Sequence, residues 1–344
     1  MSVSVTVREA APSVRGRVVL GDDLVTLRCL QDADARAMVD GDDPDQVRWL
    51  NDGRTSDLAR TQAWIGRNQR EWREGGPRRN LGIVDRATGA LAGTVEAHLA
   101  LPELPAGAVN VAYGVVPAFR GRGYAARAVR LVCTWLGAAT DAGTAVLRID
   151  ADNAPSLAVA RDAALVRAGL VRVGPGPDGL VHHVLPLRRA ARVALVCGPA
   201  GAGKSTLAGV LERDGFVRLS FDEEAWRRGH RDHPLPGPAA APVHDALRSG
   251  LVAHVRAGRD VVVDTSFWSR ASRESYRALV APLGVVPVTY HLATPRAEVL
   301  RRLAGRTGSG PHDVTVPTAL AQTYLDGFEV PTPDEGPLVV LDAG

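Results

Sequence analysis

The chain has 344 residues, 45% of them apolar, and a net charge of +3. That length allows two separate cores, and the charge is too small to mark a nucleic-acid surface by itself. The three cysteines, Cys29, Cys133 and Cys197, are far apart and odd in number; they fit neither a disulfide framework nor a zinc site and point to a reducing, cytoplasmic setting. No apolar run reaches the roughly 18 residues that span a bilayer. The start, Met1–Arg17, lacks the apolar centre of a signal peptide and reads as a loose tail or an edge strand.

In chain order, Leu24–Cys29 reads as a strand, Gln31–Val39 as a helix with Asp32 and Asp34 near its start, and Asp40–Asp45 as an acidic loop. Leu58–Glu74 is an amphipathic helix stopped by Gly75-Gly76-Pro77. Asn80–Asp85 and Leu91–Leu101 alternate as two strands around the turn Ala87-Thr88-Gly89. After a break at Pro102–Gly107, the strand Val109–Val116 runs into Pro117-Ala118-Phe119-Arg120-Gly121-Arg122-Gly123-Tyr124-Ala125, which opens the helix Ala125–Leu136. This is an anion cradle at a strand-to-helix junction. Gly121 and Gly123 permit close backbone approach, and Arg120 and Arg122 add charge. Ala145–Ile149 and Leu180–Leu187 are further strands. Leu187–Arg192 leaves almost no linker, so the domains divide as 18–187 and 193–344 across a junction at 188–192.

The second half opens with the apolar strand Val193–Cys197, the loop Gly198-Pro199-Ala200-Gly201-Ala202-Gly203-Lys204-Ser205-Thr206 and the helix Ser205–Arg213. The pattern G-x-x-x-x-G-K-S is met at every fixed position. Backbone N–H groups of such a loop curl around phosphate, Lys204 reaches the β/γ-phosphates, and Ser205 ligates Mg²⁺. Lys204 is the only lysine in the chain; every other cation among the 41 Lys and Arg is arginine. A compact ammonium fits inside a phosphate loop where a planar guanidinium does not. Strands and helices then alternate, as a parallel sheet requires: Phe216–Phe221, Val243–Arg256, Asp260–Val263, Ser272–Ala281, Val285–Leu292, Arg296–Arg306, Pro317–Phe328 and Leu338–Leu341. Asp222 and Asp264 stand at two strand ends, where ligands gather in such sheets. Gly229–Pro242 reads as a loop covering the acceptor site, and Thr307–Asp313 as a glycine-rich connection. Two phosphate cradles of different design imply two different phosphorylated ligands.

The first half resembles the GNAT superfamily of acyl-CoA N-acyltransferases. Arg120-x-x-Gly123-x-Ala125 matches that family's [QR]-x-x-G-x-[GA] motif, and Asn153-x-x-Ser156 matches its N-x-x-S helix start. The context V-x-P-x-x-R-G-x-G-Y-A is similar to the branch that acetylates ribosomal-protein N-termini and some antibiotics. The resemblance implies a mixed-sheet α+β domain over about 18–187. Acetyl-CoA would lie along Val115, Val116, Arg120, Gly121, Arg122, Gly123, Tyr124, Ala125 and Asn153, on a strand that splays from its neighbour. Two departures, a longer spacing from Ser156 to Gly169 and Val111-Ala112-Tyr113 in place of I-G-Y, imply a remodelled acceptor pocket. Glu96 or His98, two apart on one strand face, would deprotonate the acceptor amine.

The second half resembles the P-loop kinases, in particular small kinases such as polynucleotide 5′-kinase and chloramphenicol phosphotransferase. That implies an α/β/α domain with a mainly parallel sheet, binding ATP and Mg²⁺. Asp222 would take the proton of the acceptor hydroxyl, Arg227 or Arg228 would hold the acceptor, and Asp264 would lie near Mg²⁺ or substrate. Arg302 and Arg306 would close over the transferring phosphoryl group. The sequence thus predicts a bifunctional enzyme, an N-acetyltransferase joined to a kinase, with small-molecule acceptors. Two alternatives remain open. One half is a non-catalytic sensor that regulates the other, or the second half is a polynucleotide 5′-kinase of RNA repair, which its low aromatic content of 5% disfavours.

Overall fold

A computed structural model describes residues 17–51, 53–162, 165–166, 169–187, 191–230, 235, 237–308, 310 and 315–342. The expected tail at 1–16 and the junction at 188–190 lie outside the described residues, as do 231–234 and 236 of the covering loop and most of 309–314. The chain divides into two compact units between residues 189 and 190. No helix among the described residues is long and apolar enough to cross a membrane.

The first unit is built on one mixed sheet in the order β1-β2-β3-β4-β5-β6-β8-β7. Its strands are β1 (Arg17–Gly21), β2 (Val25–Cys29), β3 (Arg78–Asp85), β4 (Leu91–His98), β5 (Ala108–Val115), β6 (Thr144–Ile149), β7 (Val171–Pro175) and β8 (Val181–Pro186). All neighbours are antiparallel except β5 and β6. Its helices are α1 (Asp34–Asp40), α2 (Pro44–Trp49), α3 (Leu58–Glu74), α4 (Tyr124–Ala139) and α5 (Ala154–Ala160). α4 buries Tyr124, Ala128, Val132, Trp135, Leu136 and Ala139, a spacing of three and four that gives one apolar stripe.

Three local departures from the sequence reading have identifiable causes. α1 starts at Asp34, not Gln31, because the Asp34 carboxylate accepts from the Gln31 backbone at 2.7 Å and from Arg28 at 2.7 and 2.8 Å. The acidic loop runs into α2, which Asp43 caps by accepting from Gln46 N at 2.9 Å, with Pro44 opening the helix. Asp-Pro is a legible start signal. β7 carries Gly174 and Pro175 and a register shift after Arg172, which hide its alternation.

The second unit has a five-stranded, fully parallel sheet, β10-β11-β9-β12-β13. The strands are β9 (Val193–Cys197), β10 (Val217–Ser220), β11 (Val261–Asp264), β12 (Val288–Leu292) and β13 (Leu338–Leu341). The helices are α6 (Lys204–Arg213), α7 (Phe221–Arg227), α8 (Gly237–Arg256), α9 (Arg270–Val280), α10 (Arg296–Ala304) and α11 (Thr318–Asp326). β9 and β11 are buried along their whole length, as strands covered on both faces must be. They pack against Leu247, Leu251 and Val255 of α8 and against Tyr276 and Val280 of α9.

One buried ion pair ties this unit together. Arg273, fully buried, meets Glu335 through Nε and Nη2 at 2.6 and 2.8 Å. Its Nη1 donates to the carbonyls of Phe267 and Glu329, both at 2.9 Å. A fork of five donors is used here to fix three segments at once. Removing one partner of such a pair leaves the other buried and uncompensated. Glu335→Ala is therefore expected to lower the stability of the second unit by about 3–5 kcal/mol, read from its transition in urea unfolding of the full chain. A loss below about 1 kcal/mol would show the pair to be dispensable.

Candidate functional site

The phosphate loop of the second unit begins where β9 ends. Gly201 and Gly203 hold φ of +82° and +102°, which other residues rarely adopt. A Cβ on Gly201 would also lie 3.0 Å from the Leu303 side chain of α10. The loop is closed by Ala202 N donating to Pro199 O at 3.1 Å. Thr294 Oγ1 and Arg302 Nη1 reach the Ala202 carbonyl at 2.9 and 3.4 Å. Lys204 Nζ donates to Pro199 O at 3.0 Å. Burial pushes its ammonium below its ordinary pKa, opposed by the carboxylates of Asp264 and Asp222. A cavity of about 1090 Å³ opens above, lined by Pro199 through Thr206. Gly198 is not on its wall.

The strand-end residues divide into two groups. Asp222, Arg302 and Arg306 line the cavity. Asp222 sits in the first turn of α7. Ser220 caps that helix by accepting from Glu223 N at 3.4 Å, so the strand stops one residue before Phe221. Arg302 is braced by Glu298 at 2.6 Å, and Arg306 lies just beyond the end of α10 rather than on it. The other group faces elsewhere. Asp264 is buried against Arg218 at 2.6 Å and is absent from the wall. Arg227 and Arg228 both bind Glu224, at 2.7–2.9 Å, and are not cavity residues either. In place of Asp264 the wall takes Thr265, Ser266 and Trp268 from the loop after β11. That loop turns at Phe267, whose φ of +45° is costly for a bulky residue. Arg273 holds the Phe267 carbonyl from beneath. Sequence reading also missed Phe221 and His244, which line the cavity with their rings 4.8 Å apart. Neither sits in a local motif, so only the packing of α7 against α8 reveals them. Among the described residues, no group of three His, Cys, Asp or Glu could hold a metal ion by itself. Mg²⁺ would rest on Ser205, at the head of α6, together with the nucleotide's own phosphates.

The first unit's cleft comes from an interrupted ladder. β5 pairs with β4 from Asn110 to Val115 but with β6 only from Ala108 to Asn110. Beyond that point the two strands splay, as the resemblance implies. The gap is a cavity of about 670 Å³, walled by Val111–Val115 on one side and Leu147–Asp150 on the other. Arg120, Gly121, Gly123, Tyr124, Ala125 and Asn153 line it; Val116 and Arg122 do not. A Cβ on Gly121 or Gly123 would meet nothing within 4 Å, so the loop's outer face is open. Asn153 Oδ1 accepts from Ser156 N at 3.0 Å and starts α5. Tyr113, missed in the sequence reading as a site residue, extends its hydroxyl to the Ser156 carbonyl at 3.3 Å. Burial pushes its pKa up to about 12.

The expected roles of Arg120, Tyr124, Glu96 and His98 change on this geometry. Arg120 does not present a free guanidinium to the loop. It binds Asp43 at 2.6 and 2.8 Å and Val115 O at 2.9 Å, so it tethers the start of α2 to the loop. Its charge holds the Asp43 carboxyl below the usual range. Through this tether Gln46, Trp49 and Leu50 line the cleft. Tyr124 turns inward to hydrogen-bond Asp85. Glu96 faces Asn80 across the ladder, so it shares the face on which Asn80 meets Asn68 of α3, and it does not line the cleft. His98 is buried, its pKa pushed down by that burial.

If Arg120 acts through Asp43, Asp43→Asn and Arg120→Gln should each weaken acetyl-CoA binding by a factor of about 3–10, and the double variant by no more than either alone. Additive losses in titration calorimetry would show that Arg120 meets the diphosphate directly.

No curated protein matches the chain. Residues 25–165 match the family model described as an acetyltransferase (GNAT) domain, and residues 193–331 match that described as an AAA domain. Solved structures resemble about half of the chain. A GNAT-family acetyltransferase from Bacillus anthracis is 15% identical, over 49% of this chain and 98% of that one, with a TM-score of 0.39. An acetyltransferase from Agrobacterium tumefaciens str. C58 is 25% identical, over 48% and 92%, with a TM-score of 0.37. RimJ of Mycobacterium smegmatis, in complex with CoA-disulfide, is 18% identical, over 52% and 88%, with a TM-score of 0.38. On these matches the chain carries a GNAT-type domain over 25–165 and an AAA-type domain with a P-loop over 193–331.

Proposed function

We propose that the chain is a bifunctional group-transfer enzyme: an acetyl-CoA-dependent N-acetyltransferase, followed by a kinase that uses ATP and Mg²⁺ to phosphorylate a hydroxyl of a small molecule. One observation carries this reading. Each unit has its own glycine-built cradle at a strand-to-helix junction, and the two cradles differ in design.

In the first unit, the backbone N–H groups of 120–125 would hold the donor's diphosphate. The unpaired edge of β5, from Val111 to Val115, would pair with its amide arm. Asn153 and Tyr113 face the same cleft. Tyr113 keeps its proton at neutral pH and can donate it.

In the second unit, the loop and Lys204 would hold the β/γ-phosphates, and Ser205 would hold Mg²⁺, whose charge neutralises that developing on the phosphates. Asp222 accepts the proton of the acceptor hydroxyl. Arg302 and Arg306 add positive charge from α10 and its end.

Titration calorimetry on the full chain should find two independent sites, one for acetyl-CoA and one for ATP with Mg²⁺. Lys204→Ala is expected to weaken ATP binding by at least about tenfold and leave acetyl-CoA binding unchanged. Asp222→Asn should retain ATP binding while ADP release falls by about 100-fold or more. Failure of either nucleotide to bind removes the corresponding half of the proposal; full ADP release from Asp222→Asn removes the role given to that carboxylate.

A further inference from the structure

Gly203 leaves one peptide of the phosphate loop free to turn. Glycine tolerates φ of either sign, so no side chain at 203 opposes a flip of the Ala202–Gly203 peptide. In a trans peptide the carbonyl and the next N–H point opposite ways. The direction of the Ala202 carbonyl therefore decides whether Gly203 N–H faces into the loop or out of it.

The structure holds that carbonyl from the side of α10. Thr294 Oγ1 donates to Ala202 O at 2.9 Å, and Arg302 Nη1 approaches the same oxygen at 3.4 Å. α10 itself lies against the loop, since a Cβ on Gly201 would sit 3.0 Å from the Leu303 side chain and 3.1 Å from Val299 O. With the carbonyl drawn toward α10, Gly203 N–H turns away from it, into the curl of the loop. The first turn of the loop is tied differently, from within. The Pro199 carbonyl accepts from Ala202 N at 3.1 Å and from Lys204 Nζ at 3.0 Å. A phosphate would draw Lys204 off that carbonyl, whereas the Ala202 carbonyl has no such exchange to make.

Thr294 is built as a fixed donor. His291 stands opposite Cys197 in the ladder, so β12 ends beside the start of the loop. Ala293 N donates to Leu341 O at 2.9 Å and carries the pairing one residue past β12. Pro295 then confines Thr294 to extended backbone and opens α10. A β-branched side chain on such a backbone has few rotamers. Thr294 is not on the cavity wall, so it acts through the loop and not on the ligand. Arg302 is the weaker anchor, at the longer distance and already bound to Glu298 at 2.6 Å.

Building on the nucleotide-binding reading above, we propose that Thr294 is a positioning residue of the phosphate loop: its hydroxyl pins the Ala202–Gly203 peptide so that Gly203 N–H is aimed at the anion before any nucleotide arrives. Without that hydroxyl the peptide divides between two orientations, and only one of them accepts phosphate. Apparent affinity then falls in proportion to the competent fraction.

The test is calorimetric titration of the full chain with ADP and Mg²⁺, at a temperature well below its unfolding transition by circular dichroism. Thr294→Val keeps the branched shape and removes the donor; it is expected to weaken ADP binding about tenfold, as a competent fraction of about one tenth requires. Thr294→Ala is expected to lose as much, which guards against a packing fault peculiar to valine. Thr294→Ser restores the hydroxyl and is expected to bind within about twofold of the unaltered chain. Acetyl-CoA binding, in the other unit, should be unchanged in all three. ADP affinity of Thr294→Val and Thr294→Ala within about twofold of the unaltered chain overturns the proposal. So does a Thr294→Ser variant as weak as Thr294→Val, because shape and not the hydroxyl would then be at work. An unaltered chain that binds no ADP marks failure of the nucleotide reading itself and removes this proposal with it.

Discussion

The second unit depends on strand alignment. In the parallel ladder Val196 stands opposite Asp264, Asp264 opposite Ser220, and Cys197 opposite His291. Because neighbouring strands end level, everything that follows them emerges on one edge: the phosphate loop, the Phe221–Asp222 turn, the Thr265–Trp268 loop and Leu341–Asp342. A register slip of one residue would turn every side chain to the other face and scatter this set. The first unit reaches a site by the opposite route. There the ladder between β5 and β6 stops after Asn110, and the cleft opens where the pairing ends.

Much of this was legible in the residues. The strand-loop-helix around Lys204, the alternation of strands and helices after it, and the glycine loop before α4 all rest on contacts within about ten residues of sequence, where turn chemistry and periodicity speak directly. What was not legible depends on partners far away in the chain. Arg120 looks like a phosphate ligand until Asp43, 77 positions earlier, takes its guanidinium. Asp264 looks like a metal ligand until Arg218, 46 positions earlier, occupies it. No local pattern announces either pairing. The start of α2 is a different case. Its signal, Asp43 followed by Pro44, was present and was outweighed by the acidic run around it.

Arginine has two uses in this chain, and separating them clarifies the sites. Arg28, Arg120, Arg218 and Arg273 are tethers. Each spans elements through a carboxylate with short, directional bonds. A bidentate fork suits that work better than an ammonium, because it fixes orientation as well as distance. Arg302 and Arg306 instead reach the cavity wall. Counting arginines in the sequence therefore overstates the positive charge available to a ligand.

The solitary lysine has a practical corollary. In these 344 residues one side chain carries a primary amine, and it lies beneath the loop that would cradle a nucleotide. Amine-reactive dyes, aldehydes and acylating reagents thus meet a single side-chain target. A bound triphosphate would shield that target, so the extent of labelling measures occupancy. The chain carries its own reporter group, placed by the same chemistry that excluded a guanidinium from that position.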